Sequence, residues 1–150
     1  PDLLRFIGGP MKLVIKEVKH NNEEKIFQRI FGDGTMTYAH TRLHAYCSSY
    51  VPMDSGMLDQ NVDISPECVC YRSPYAHYQW EGEVYGPNIP IYKDGVLEGF
   101  ISPPTKHPTG KELHHSQDKH PLATSHWEVA AMAAHKGDLC RDIENYLRKK

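Results

Sequence analysis

The chain has 150 residues, 39% of them apolar, with 11 prolines and 11 glycines, so one domain with one core and much loop is expected. Lys and Arg number 17 against 19 Asp and Glu, and this net charge of -2 argues against a protein that grips nucleic acid by its phosphates. No apolar run approaches the ~20 residues of a membrane helix, so none is expected.

Residues 1–10 carry Leu3, Leu4, Phe6 and Ile7 but neither a basic region nor a small-residue cleavage tail, so a signal peptide is not expected. Met11 opens a plausible start, and 1–10 read as a flexible leader or extension ahead of a single domain over 11–150. Branched residues alternating over 12–18 predict a first strand. Asn22 suits the cap of a short helix through Ile26, Phe27, Ile30 and Phe31, which the glycines Gly32 and Gly34 break. Over 35–50 the apolar positions Met36, Ala39, Leu43, Tyr46, Cys47 and Tyr50 advance by three or four, the pattern of an amphipathic helix. Pro52 ends it by pushing Val51 out of helical dihedrals.

In the turn that follows, Asp54 is expected to close onto its own backbone and Gly56 to supply a positive φ. Leu58, Val62 and Ile64 then read as a strand that returns over 68–72 as a hairpin, with Asp59 at its start. Ser73 as N-cap and Pro74 at the first helical position open a short helix through Tyr75, Ala76, Tyr78 and Trp80, stopped by Gly82.

Residues 83–121 hold six of the prolines and form an extended arm. Within it 89–92 and 96–101 flank the hairpin tip Lys93, Asp94 and Gly95. The remainder, 102–120, is polar and His-rich and reads as a projecting loop. A C-terminal helix follows, with Ser125 and Glu128 as a capping box over Trp127. Its apolar stripe runs Trp127, Ala131 and Ala134, then shifts near Gly137 to Leu139, Ile143, Tyr146 and Leu147. The architecture expected is α+β: a small antiparallel sheet, a long helix in the N-terminal half, a C-terminal helix on one side, and the projecting hairpin.

The four cysteines Cys47, Cys68, Cys70 and Cys140 form no C-x-x-C pair and read as small hydrophobes in a reducing, cytosolic setting. Five histidines, His107, His114, His115, His120 and His126, invite a metal-dependent nuclease or hydrolase as the alternative reading. They sit in the least regular part of the chain, and no helical H-E-x-x-H pair orders them, so no metal, cofactor or catalytic residue is assigned. Tyr71, Tyr75, Tyr78 and Trp80 have only Arg72 among them, which favours packing over a base-stacking platform.

Three blocks carry a family resemblance. Residues Tyr50, Val51, Pro52, Met53, Asp54, Ser55, Gly56, Met57 and Leu58 resemble the V-P-x-D-[ST]-G-x-L signature after the first long helix of minor capsid and neck proteins of long-tailed bacteriophages. Tyr71 to Ala76, with Pro74, Tyr75 and Ala76 as its core, is similar to that family's turn into a short helix. His120, Pro121, Leu122, Ala123, Thr124, Ser125, His126 and Trp127 are similar to its lead into the C-terminal helix, anchored by Trp127. The resemblance implies a non-enzymatic structural subunit of the head–tail connector, made in the bacterial cytoplasm and carried in the virion neck. It implies a ring of copies, six favoured and twelve possible, beside other neck, portal-adaptor and tail-terminator or tail-tube proteins, with genomic DNA passing through unbound. The motif positions it marks as structural are Pro52, Asp54, Gly56, Leu58, Pro74, Tyr75, Ala76 and Trp127.

Overall fold

Two helices open the main body, and a single glycine joins them. The computed structural model describes residues 4–6 and 23–150, so the expected strand over 12–18 and the Asn22 cap lie outside the described residues. Helix α1 spans Glu23–Phe31 and helix α2 spans Asp33–Cys47. The Gly32 N–H bonds the Gln28 carbonyl at 2.8 Å, and a Cβ on Gly32 would stand 2.2 Å from that same oxygen. Only glycine lets the chain turn so tightly here. Helix α2 therefore starts at Asp33, two residues before the expected Thr35, and Asp33 places its charge at the positive end of the helix. Thr35 Oγ1 donates to the Arg29 carbonyl at 2.8 Å and clips the two helices together.

A 3-10 turn, Ser48–Tyr50, finishes α2, and Val51 is extended at φ -71° and ψ 130°, as Pro52 requires. Gly56 then takes φ +86° and starts a one-turn helix, α3, Met57–Gln60. This corrects the expected strand at Leu58 and Asp59, which are helical; the strand begins only at Val62. Strands β2, Val62–Ile64, and β3, Val69–Tyr71, form the expected antiparallel hairpin, closed by the Ser65 N–H on the Cys68 carbonyl at 2.9 Å. The segment set aside as a leader contributes strand β1, Leu4–Phe6, which pairs antiparallel with the other side of β3. The sheet order is β1-β3-β2. Cys68 and Cys70 share a face, their sulfurs 2.7 Å apart, whereas Cys140 is exposed and fills no core position.

Helix α4, Ala76–Glu81, ends where Gly82 takes φ +70°. The expected N-cap does not form, because Ser73 Oγ donates across to the Met57 carbonyl at 3.2 Å and Tyr75 occupies the cap position. Helix α5, Trp127–Arg148, is the longest element. Its capping box is also replaced: His126 caps it at φ +48°, and Glu128 is drawn away to accept the Trp80 Nε1–H at 2.7 Å.

The core has two parts. Cys47, Val51, Leu58, Val69, Tyr71, Ala76, Trp127 and Ala131 make the larger one, between the sheet, α2 and the start of α5. Ala39, Leu139 and Ile143 make the second, where α2 lies along α5. Burial pushes the Cys47 thiol up to about 12, so it is an inert core group. On α5 the expected Ala134 is exposed, and the stripe runs without a shift through Trp127, Ala131, His135, Leu139, Ile143 and Leu147, one residue in four. His135 stacks on Tyr46 of α2 with centroids 5.1 Å apart.

Below that stack, Asp142 accepts from Tyr46 Oη at 2.7 Å and Arg42 Nε at 2.8 Å, tying α5 to α2. The Tyr46 hydroxyl first, and Arg42 second, hold the Asp142 carboxyl below its ordinary value of 3.8. A depressed carboxylate stabilises the fold above its unfolded value and loses that contribution as pH falls through the folded one. Asp142→Asn is therefore expected to lower the urea midpoint at neutral pH. The difference from the native chain should shrink as pH falls below that ordinary value and the carboxyl takes up its proton.

Candidate functional site

The segments 50–58, 71–76 and 120–127 are far apart in sequence, and the fold joins them around one side chain. Trp127 is fully buried and meets the buried Tyr71 ring edge-to-face, with centroids 5.3 Å apart. Val51, Leu58 and Ala76 complete this cluster. The backbone locks it further: the Thr124 N–H bonds the Tyr50 carbonyl at 3.0 Å, and His120 Nδ1 lies 2.8 Å from the Val51 carbonyl. The His126 N–H bonds the Trp80 carbonyl at 3.0 Å, fixing the end of α4 to the start of α5.

The eight motif positions divide by environment. Pro52, Gly56, Leu58, Ala76 and Trp127 are buried, whereas Asp54, Pro74 and Tyr75 reach the surface. Asp54 meets Lys119 through its backbone carbonyl, and the local turn bond is made by Ser55, whose Oγ accepts the Met57 N–H at 3.4 Å. At Gly56 an added Cβ would lie 3.2 Å from Met53 Cε and 3.3 Å from Gln60 Nε2, on a backbone at φ +86°. Gly56→Ala is expected to cost about 1–2 kcal/mol, read as a lower urea midpoint with an unchanged slope.

A cleft of about 490 Å³ opens beside this junction, between the loop 52–56 and Tyr75 and Gln79 on one side and His114, His115 and Ser116 on the other. His115 Nδ1 stands 3.0 Å from Gln79 Oε1, and burial holds the ring's pKa below its ordinary value. The five histidines between 107 and 126 are dispersed by other tasks. His107 lies exposed in a strand of the arm, His114 and His115 line the cleft, His120 serves Val51, and His126 packs on Trp80 at 4.3 Å. Among the described residues no three His, Cys, Asp or Glu side chains stand together as a metal site.

The arm differs most from its sequence reading. Strand β4, Glu83–Gly86, pairs with strand β7, His107–Glu112, inside the region 102–120 that was expected to be loop. The sequence of β7 has no apolar alternation, so its shape comes from its partner. Thr109 Oγ1 donates to the Val84 carbonyl at 2.6 Å, and the Gly110 N–H to Glu83 Oε1 at 2.7 Å. Beyond it, strands β5, Ile89–Lys93, and β6, Val96–Ile101, form the expected hairpin, turned by Asp94 and Gly95 with positive φ at both. Every residue of β5 and all but Gly99 of β6 are exposed, apolar ones included. From the pairing register, Ile89, Ile91, Val96 and Ile101 share one face, and Pro90, Tyr92, Leu97 and Phe100 share the other. This ribbon, apolar on both sides, is what a periodicity argument misses, since alternation normally marks one buried and one wet face.

No helix among the described residues is long and apolar enough to cross a membrane. Compared with known proteins, the chain matches no family model, no curated protein and no solved structure.

Proposed function

We propose that this chain is a structural subunit of a tailed-phage virion, part of the head–tail connector, and that it works by assembling with copies of itself and with neck neighbours. The observation that carries the reading is the β5–β6 ribbon, whose apolar residues are exposed between 40% and 67% on both faces. Soluble chains rarely leave so much contiguous apolar surface bare unless a partner covers it. A two-stranded hairpin is marginal alone in water, so its working state is the covered one. The motif junction around Trp127 then acts as the rigid base from which the ribbon extends. The net charge of -2 suits a ring through which DNA slides without being held.

The ring has six copies, or twelve, between the portal complex and the tail, with portal-adaptor and tail-terminator or tail-tube proteins as its neighbours. Quantitative peptide analysis of purified virions, from the phage whose genome encodes the chain, tests this. Six or twelve copies per particle support the reading. A chain found only in the soluble fraction of lysed host cells overturns it.

A further inference from the structure

We infer that Cys68 and Cys70 form a reversible dithiol–disulfide site, oxidised by a low-molecular-weight disulfide such as glutathione disulfide. The inference goes beyond the connector reading and holds or fails independently of it.

The sequence places the pair and the fold closes it. Residues two apart on a strand share a face, and Val69 and Tyr71 turn the opposite face of β3 into the core. Among the described residues, neither Cys68 nor Cys70 joins the two packed clusters. Their sulfurs stand 2.7 Å apart, with no disulfide joining them. Even carbon atoms in contact rest at about 3.5–4.0 Å, whereas a disulfide bond measures about 2.05 Å. The pair lies nearer to bonding than to contact.

The backbone that carries each sulfur is fixed by other bonds. The Cys68 N–H donates to Ser65 Oγ at 3.2 Å, and the Cys68 carbonyl accepts the Ser65 N–H at 2.9 Å. Cys70 lies in the central strand of its sheet, paired with Asp63 of β2 on one side and Arg5 of β1 on the other. Held in this way, the sulfurs meet with little further loss of chain freedom, which raises the effective concentration of each toward the other. The other two cysteines are placed differently: Cys47 lies in the core, and Cys140 is exposed on α5.

Exposure sets the order of attack. Cys68 is 5% exposed, whereas Cys70 is half-buried, so the first exchange falls to Cys70. Its thiolate attacks one sulfur of glutathione disulfide, forms a mixed disulfide and expels one glutathione thiolate. The Cys68 thiolate then attacks the Cys70 sulfur and expels the second glutathione. Two electrons pass from the protein to the reagent, and the two thiol protons end on the two glutathione molecules released. Excess glutathione runs the same steps backwards and restores the dithiol.

The test titrates the full chain, in a Cys140→Ser background that removes the exposed thiol, with graded mixtures of glutathione and its disulfide. Samples are quenched in acid, and peptide mapping by mass spectrometry locates every new bond. The folded chain is expected to form the 68–70 disulfide, half complete at a disulfide-to-thiol ratio at least tenfold lower than the same chain needs in urea. Equal ratios overturn the inference, because the fold then does nothing to bring the sulfurs together. A folded chain that keeps both thiols, or a new bond placed elsewhere, overturns it as well. The order of attack is read from two further variants in that background, with circular dichroism confirming that each is folded. Cys68→Ser is expected to accumulate glutathione on Cys70, and Cys70→Ser to take it up on Cys68 at least tenfold more slowly. Equal rates contradict that order, and the native-chain titration stands without either variant.

Discussion

Replacing Trp127 by alanine is expected to remove about 3–5 kcal/mol of folding stability, the cost of emptying a fully packed aromatic site. The indole has no solvent exposure, lies edge-on to Tyr71, and sits where the sheet, α2, α4 and α5 converge. Its loss leaves a cavity bounded by groups that other bonds hold in place, namely the Thr124 bond to Tyr50 and the His126 bond to Trp80. Such a wall relaxes little, which places the loss toward the upper part of the range. For a chain of this length the melting temperature should fall by on the order of 10 °C. Trp127→Phe, which keeps most of the ring, should lose clearly less. Thermal unfolding followed by circular dichroism reads both, and native-like melting of the alanine variant would show that this junction does not hold the fold together.

The second large effect separates association from folding. Ile91→Asp together with Phe100→Asp places one charge on each face of the ribbon. Both residues are exposed in the single chain, at 40% and 60%, so melting should shift little. Burying each side chain between copies is worth about 1.5–3 kcal/mol, and a buried unpaired carboxylate adds a further penalty. Self-association should therefore weaken by at least about 100-fold, since every 1.4 kcal/mol is tenfold. Sedimentation of the native and doubly substituted chains over a range of concentrations measures the change. Equal association constants would mean that the ribbon takes no part.

The contrast between these two variants reflects how the molecule divides. Trp127 and its neighbours form a base whose stability is internal. The ribbon lies outside both parts of the core and leaves its apolar surface exposed. In the connector reading a rigid base would set the angle at which the ribbon meets its neighbour, and so decide whether a ring closes.

Much of the base was legible in the sequence because its signals are local. The apolar positions of α2 recur at helical spacing, Pro52 dictates the extended Val51, and Asp94 with Gly95 specifies the turn between β5 and β6. Trp127 could be named as an anchor because it opens the apolar stripe of the last helix and closes the third block of the family resemblance. What escaped was decided by tertiary partners. Glu128 reads as half of a capping box until Trp80, 48 residues earlier, claims its carboxylate. Ser73 reads as a cap until the Met57 carbonyl is found beside it. His40, which is buried, and His135, which is half-buried, were missed as packing residues because a polar ring breaks an apolar stripe on paper. In the fold His40 Nδ1 lies 2.7 Å from the Ser65 carbonyl, and His135 stacks on Tyr46. Strand β7 carried no signal of its own, since His107–Glu112 becomes a strand only when β4 lies beside it. The cleft beside the motif loop was equally invisible, because His114 and His115 reach it only once β7 has brought them back.

The most direct trial of the assembly claim is the mass of the complex formed when the full chain is purified with the products of its flanking genes. Native mass spectrometry, with negative-stain images of the same sample, is expected to show closed rings of six or twelve copies that the Ile91→Asp, Phe100→Asp chain cannot form. Single copies throughout, or rings that the double variant forms equally well, would contradict the account.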